Sequence, residues 1–130
     1  MFLDTSGLFA YLQADEASHA KAQSIFKAHP NCITHSFVLA ELVALANARG
    51  PSRKDALNFL SALVDHPRVE MIWVERDLVL NGLSFLQSRL DKSYSLCDAI
   101  SFILMRERGL AEALTSDHHF EQESFQALLR

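Results

Sequence analysis

The chain has 130 residues, of which 49% are apolar and 22% charged, and its formal net charge is -4. That length suits one domain, residues 1–130, with a real core, and that composition excludes a disordered tail. A net acidic chain does not hold nucleic acid by bulk charge, so any anion must be met by a local patch or through bound metal.

The elements alternate along the chain. Phe2 to Asp4 reads as a short strand cut off by Thr5-Ser6, and Ser6 to Gln13 as a helix with Leu8, Phe9 and Leu12 apolar. Ala17 to Ala28 is a second helix, closed before Pro30, and Asn31 to Thr34 is a strand. Ser36 to Ala48 forms a strong helix that stops at Gly50. Pro51-Ser52 starts another, which runs to Asp65 and ends at Pro67. Val69 to Val74 is rich in strand formers, and Glu75 or Arg76 to Leu90 is a long helix with acidic residues at its start. Leu96 to Arg108 is a helix ended by Gly109, and Glu112 to Thr115 is a short strand. The tail from His118 to Arg130 reads either as a helical turn plus a strand or as one helix. Strands alternating with helices predict an α/β fold with a largely parallel sheet. In such sheets ligands bind beyond the carboxyl ends of the strands.

The two cysteines, Cys32 and Cys97, are not in a Cys-x-x-Cys pair and sit among apolar residues, which predicts buried free thiols in a reducing cytoplasm. The start of the chain has no basic region before its apolar stretch, so no signal peptide is expected there. No apolar run approaches the ~20 residues that cross a bilayer, so no membrane role is expected.

Most of the sixteen acidic residues have ordinary explanations. Asp15, Glu16, Glu75 and Asp77 fall in or near first helical turns, and Glu107, Glu121 and Glu123 are expected to be solvated. Four stand apart. Asp4 ends the first strand and is either a helix cap or a ligand. Glu41 lies mid-helix with Phe37, Val38, Ala44 and Leu45 as its same-face neighbours. All four are apolar, which predicts a buried carboxylate with a hidden partner, a cation or a basic side chain. Asp98 follows Ser95 at capping-box spacing, on a helix that enters the core. Asp117 is a cap or turn residue after a strand. Carboxylates gathered at one sheet edge repel one another unless they hold a hard cation or keep a proton. Mg²⁺ or Mn²⁺ suits such oxygen donors, and phosphodiester hydrolysis is the chemistry they support.

Asp4-Thr5-Ser6 after an N-terminal strand, Glu41 in FVLAELVAL, Asp98 in YSLCDAISF and Asp117 in LTSDHHFEQ together resemble a PIN domain. The nearest resemblance is to toxins of the VapC type, and it covers essentially the whole chain. It implies a three-layer α/β/α fold around a mainly parallel sheet of four to five strands. It also implies a metal-dependent endoribonuclease, the toxin of a type II toxin–antitoxin pair. Asp4, Glu41, Asp98 and Asp117 would form the acidic catalytic and metal site. Asp4 and Asp98 would be direct ligands, and Glu41 and Asp117 would bind a second metal or orient water. Ser6 and Thr115 would assist them. An antitoxin partner, an RNA substrate and a homodimer are further implications. One departure is Ser124, where the family commonly has glycine, which puts a local turn in doubt.

Competing readings fare less well. His118 and His119 are adjacent and expected to point apart, no zinc spacing exists, and His119 is expected to pack or hydrogen-bond near the site. Four glycines, at 7, 50, 82 and 109, build no phosphate loop. A dehalogenase-like phosphatase would need an Asp at position 6, which is Ser. A catalytically silent PIN-like binding protein remains the alternative from another class. Basic residues near the edge are few. Arg49 and Lys92 are candidate phosphate contacts, and Tyr94 is a candidate platform for a base.

Overall fold

An apolar run without alternation, such as Met1 to Leu3, needs cover on both faces. The computed structural model, which describes residues 1–130, supplies that cover. Strand β1 (Phe2–Leu3) lies at the centre of a five-stranded sheet of order β3-β2-β1-β4-β5. Its neighbours are β2 (Cys32–His35) and β4 (Glu112–Leu114), with β3 (Val69–Ile72) and β5 (Gln126–Ala127) at the edges. Every pairing is parallel, in the registers Phe2↔Ile33, Leu3↔Leu114, Cys32↔Val69 and Ala113↔Ala127.

The helices are α1 (Thr5–Leu12), α2 (His19–Ala28), α3 (Ser36–Ala48), α4 (Arg53–Val64), α5 (Arg76–Gln87), α6 (Leu96–Glu107) and α7 (His118–Gln122). Packing of α1 on α2 and α3, and of α3 on α4, forms one layer, and α5 packs on α6. Right-handed crossovers place that second pair on the opposite face, which gives three layers. The chain leaves β1 toward one edge and β4 toward the other, so a crevice opens between their carboxyl ends.

Local chemistry explains most boundaries. Ser52 caps α4, its hydroxyl accepting from Asp55 N–H at 3.1 Å. Helix α2 starts at His19 rather than Ala17, and α5 ends at Gln87 rather than Leu90. The tail is a short helix followed by a strand. Its turn contains Ser124 at φ 68°, a left-handed conformation that costs a residue with Cβ about 1–2 kcal/mol. The turn placed in doubt therefore forms, and it forms at the position where glycine would be relaxed. Both cysteines are buried and free. No helix is long and apolar enough to cross a membrane.

Candidate metal centre at the carboxyl edge of the sheet

Asp4 emerges from the centre of the sheet with 4% of its surface exposed. It occupies the cap position of α1 but makes no side-chain cap bond. Its Oδ2 instead accepts from Thr115 Oγ1 at 2.7 Å and from Ser6 Oγ at 3.0 Å. Each hydroxyl is itself oriented by a backbone donor. Ser116 N–H donates to Ser6 Oγ and Asp117 N–H donates to Thr115 Oγ1, both at 3.0 Å. With those amides on the hydroxyls' lone pairs, both protons point at Asp4. One carboxylate oxygen is thus pinned, and Oδ1 receives neither hydroxyl.

Asp98 is arranged in the same way. The capping box with Ser95 forms, Ser95 Oγ accepting from Asp98 N–H and Asp98 Oδ2 accepting from Ser95 N–H, both at 3.0 Å. His119 Nδ1 lies 3.0 Å from the same Oδ2, so Asp98 also keeps its other oxygen bare. The cap and the site are two uses of one side chain. Burial pushes Asp4 up to about 6, against the hydrogen bonds from Thr115 and Ser6, with the charge of Asp98 adding to the rise. Burial likewise raises Asp98, and Asp117 raises it further.

Asp117 caps α7, its Oδ1 accepting from His119 N–H at 2.9 Å. His119 is held as expected, between Asp98, Asp117 and the Tyr94 ring. The divergence expected of the histidine pair fails. Their ring centroids lie 4.5 Å apart, and both rings address Asp117, His118 Nδ1 at 3.5 Å and His119 Nδ1 at 3.4 Å.

Glu41 corrects a second expectation. The face of α3 that reaches the core carries Val38, Leu42 and Ala46, and Glu41 sits beside that stripe, exposed. Its carboxylate is therefore not buried. It still belongs to the acidic edge, because after burial its charge is the strongest influence holding the Cys97 thiol protonated, ahead of Asp4.

Glu123, expected to be solvated, is 7% exposed. Arg89 Nε donates to it at 2.9 Å, Arg106 Nη2 at 2.6 Å and the Tyr94 hydroxyl at 3.1 Å. Burial alone would raise its pKa, yet these donors hold it below the ordinary carboxylate value. Tyr94 is accordingly a buried residue, 8% exposed, and offers no face to a base. Its phenol is pushed up to about 12 by burial and by Glu123. Arg49 pairs with Glu16 at 3.0 Å and lies over the Phe9 ring, toward the end of α1 opposite Asp4. Lys92 is exposed and pairs with Asp91 at 3.3 Å.

His35 escaped the sequence reading, although its place at the end of NCITH puts it one register step from Asp4. It is fully buried. Ser101 Oγ donates to the Cys97 carbonyl at 2.8 Å, so it accepts from His35 Nε2–H at 2.9 Å. Nδ1 has no partner. Burial lowers His35 to about 4, so the ring is neutral.

The donor set fits a hard divalent cation. Two buried carboxylates lie near enough for the charge of Asp98 to raise Asp4, each has one oxygen held by two hydrogen bonds, and no Lys or Arg is paired with either. Glu123 shows how this chain treats a carboxylate buried for structure alone. A family model described as "PIN domain" matches residues 1–125. The 23S rRNA-specific endonuclease VapC20 of Mycobacterium tuberculosis, found from two strains, is 31% identical over 126 residues, covering 96% of this chain and 95% of the relative. The crystal structure of Mycobacterium tuberculosis VapC20, described as a Sarcin-Ricin loop cleaving toxin, matches with a TM-score of 0.87 and 28% identity, again over 96% of this chain and 95% of that one.

Proposed function

The chain belongs to the PIN-domain family, and on that premise we propose that it is a divalent-metal-dependent endoribonuclease, the toxin of a type II toxin–antitoxin pair. The observation that carries this reading is the contrast between Asp4 and Asp98, buried without a basic partner, and Glu123, buried with two. Asp4 and Asp98 are the direct ligands of Mg²⁺ or Mn²⁺ in this reading, with Glu41 and Asp117 at its margin. A bound cation of this kind polarises a phosphate and lowers the pKa of water.

The chain's own residues supply the rest. Ser6 and Thr115 hold Asp4 in one rotamer, and Ser95 and His119 do the same for Asp98. Neither ligand has to reorganise when charge develops. Burial keeps water from screening the pair. Exposed Glu41 is free to orient a water at the mouth of the cleft. The RNA strand has few basic contacts to use, since Arg106 and Arg108 are committed to Glu123 and Glu70, which leaves Lys92 the best placed.

Partner surfaces support the toxin role. An apolar cavity of about 170 Å³, lined by Leu8, Tyr11, Phe26, Phe59 and Leu63, suits the apolar face of an antitoxin helix. Exposed Trp73, Leu80 and Leu83 suit a homodimer contact, and an RNA substrate accords with the cytoplasmic location expected from the sequence. A sarcin–ricin-loop oligonucleotide, chosen from the relative's substrate, is the first RNA to test. Cleavage is expected with Mg²⁺ or Mn²⁺, and loss is expected with EDTA and in folded Asp98→Asn. A silent binding protein would cleave nothing under any of these conditions.

A further inference from the structure

Tyr94 is buried and turns no face to RNA, so its place beside the site calls for another use. Three consecutive residues ahead of α6 each hold part of the Asp98–His119 pair. Ser93 Oγ lies 3.3 Å from His119 Nε2. The Tyr94 ring meets the His119 ring edge-on, with centroids 5.1 Å apart and planes at 70°. Ser95 closes the capping box on Asp98. His119 Nδ1–H then donates to Asp98 Oδ2 at 3.0 Å.

The Tyr94 ring is itself held at its far end. Its hydroxyl donates to Glu123 Oε1 at 3.1 Å, and burial together with Glu123 keeps that hydroxyl protonated. Arg89 and Arg106 clamp Glu123 in turn. On the flanks, Phe102 stands edge-on to Tyr94 at 5.1 Å and Phe85 lies 6.4 Å away. Packing fixes where the ring lies, and the tether at its tip stops it swinging about χ1. Stability alone gives little reason for this arrangement, because a buried polar network is often no more stabilising than apolar groups of the same size.

We propose that Tyr94 is a positioning residue for the metal centre: tethered to Glu123, its ring fixes the orientation of His119, and His119 fixes Asp98. This role rests on the metal-dependent reading above. Partners one step removed from a ligand set its orientation, and a ligand aimed in advance does not reorganise when charge develops.

Tyr94→Phe keeps the packing and removes only the tether. In the metal-free full chain, long-range ¹H–¹⁵N spectra of the histidine rings should show His119 shifted or exchanging between tautomers. His35, held by Ser101, should keep its signals. Mn²⁺ affinity, by calorimetry, should fall roughly three- to tenfold, below the ~10–100-fold cost of losing a direct partner. Cleavage should lose kcat with KM unchanged, since Tyr94 does not meet RNA. Glu123→Ala should reproduce these losses and Glu123→Gln should not, because a phenol can donate to or accept from an amide, although both variants break the ion pairs and melt lower. Native His119 signals and Mn²⁺ affinity in Tyr94→Phe, or equal losses in Glu123→Gln and Glu123→Ala, overturn the proposal. If His119 loosens as expected while even the parent chain cleaves no RNA with Mg²⁺ or Mn²⁺, the nuclease reading falls and the positioning role stands.

Discussion

Glu123 and Asp4 are both buried carboxylates, at 7% and 4% exposure, with opposite surroundings. Glu123 receives two guanidiniums and a phenol, and its pKa is held down. Asp4 receives two neutral hydroxyls and faces another carboxylate, and its pKa is pushed from 3.8 up to about 6. The two groups therefore act on stability with opposite signs. Between those values the folded, metal-free chain keeps a proton on Asp4 that the unfolded chain has lost, so its contribution falls as pH rises through that window. Glu123 contributes fully above its ordinary value of 4.5, and that contribution is lost as pH falls through its lower folded value. Asp4→Asn should raise the stability of the metal-free protein at pH 7 by up to about 3 kcal/mol, measured by urea unfolding, while abolishing RNA cleavage. Calorimetric titration should find Mg²⁺ or Mn²⁺ binding weaker as pH falls through 6, because the ion must displace the Asp4 proton. Ser124→Gly should relieve the left-handed turn and stabilise the chain by about 1 kcal/mol, seen as a higher Tm with cleavage unchanged.

Helix α6 fixes Asp98, the ligand proposed above, through the capping box of its first turn, so on that reading the cap serves chemistry as well as stability. Ser95→Ala removes the hydroxyl that accepts from Asp98 N–H. It should cost about 1 kcal/mol of stability and a larger share of activity, because the turn that aims Asp98 then frays. Single-turnover cleavage alongside thermal melting separates the two effects. Helix α1 is set by close contact. A Cβ on Gly7 would lie 1.9 Å from the Leu114 carbonyl oxygen, so only glycine lets α1 approach β4 this closely. Gly7→Ala should cost about 1–3 kcal/mol by overpacking, and should weaken metal binding too, since the α1 displacement separates Ser6 from Thr115, now 2.9 Å apart. Helix α3 shows where periodicity misled. Four apolar neighbours made Glu41 look buried, but the core takes up only the Val38, Leu42 and Ala46 stripe. Alanines and half-buried aliphatics flank it without enclosing it.

At the scale of the whole molecule, the alternation of strands and helices was legible, and so was the edge where the acids meet, because parallel sheets place strand ends on one side. Asp4 and Asp98 could be picked out since each ends or begins an element beside a buried run. The contacts that joined distant segments could not. No local pattern ties Glu123 to Arg89, or Tyr94 to Glu123, because those pairs depend on how α5, α6 and α7 stack. The turning of His118 toward Asp117 is set by tertiary contacts that helix geometry does not contain. Solvent exposure of Glu41 had the same origin.

The hydrogen bond from Thr115 to Asp4 joins residues 111 positions apart, and one of the two strands that flank β1, β4, arrives only near the end of the chain. Synthesis starts at the Asp4 end. While a ribosome is still making the first hundred residues, Asp4 has no Thr115 to hold it and the edge has no Asp117. The acidic cleft comes into being only when β4 slides in beside β1. A growing chain therefore lacks the finished cleft for most of its synthesis, and a truncation between Asp98 and Thr115 takes away the hydroxyl that holds Asp4 while leaving both Asp4 and Asp98 in the chain.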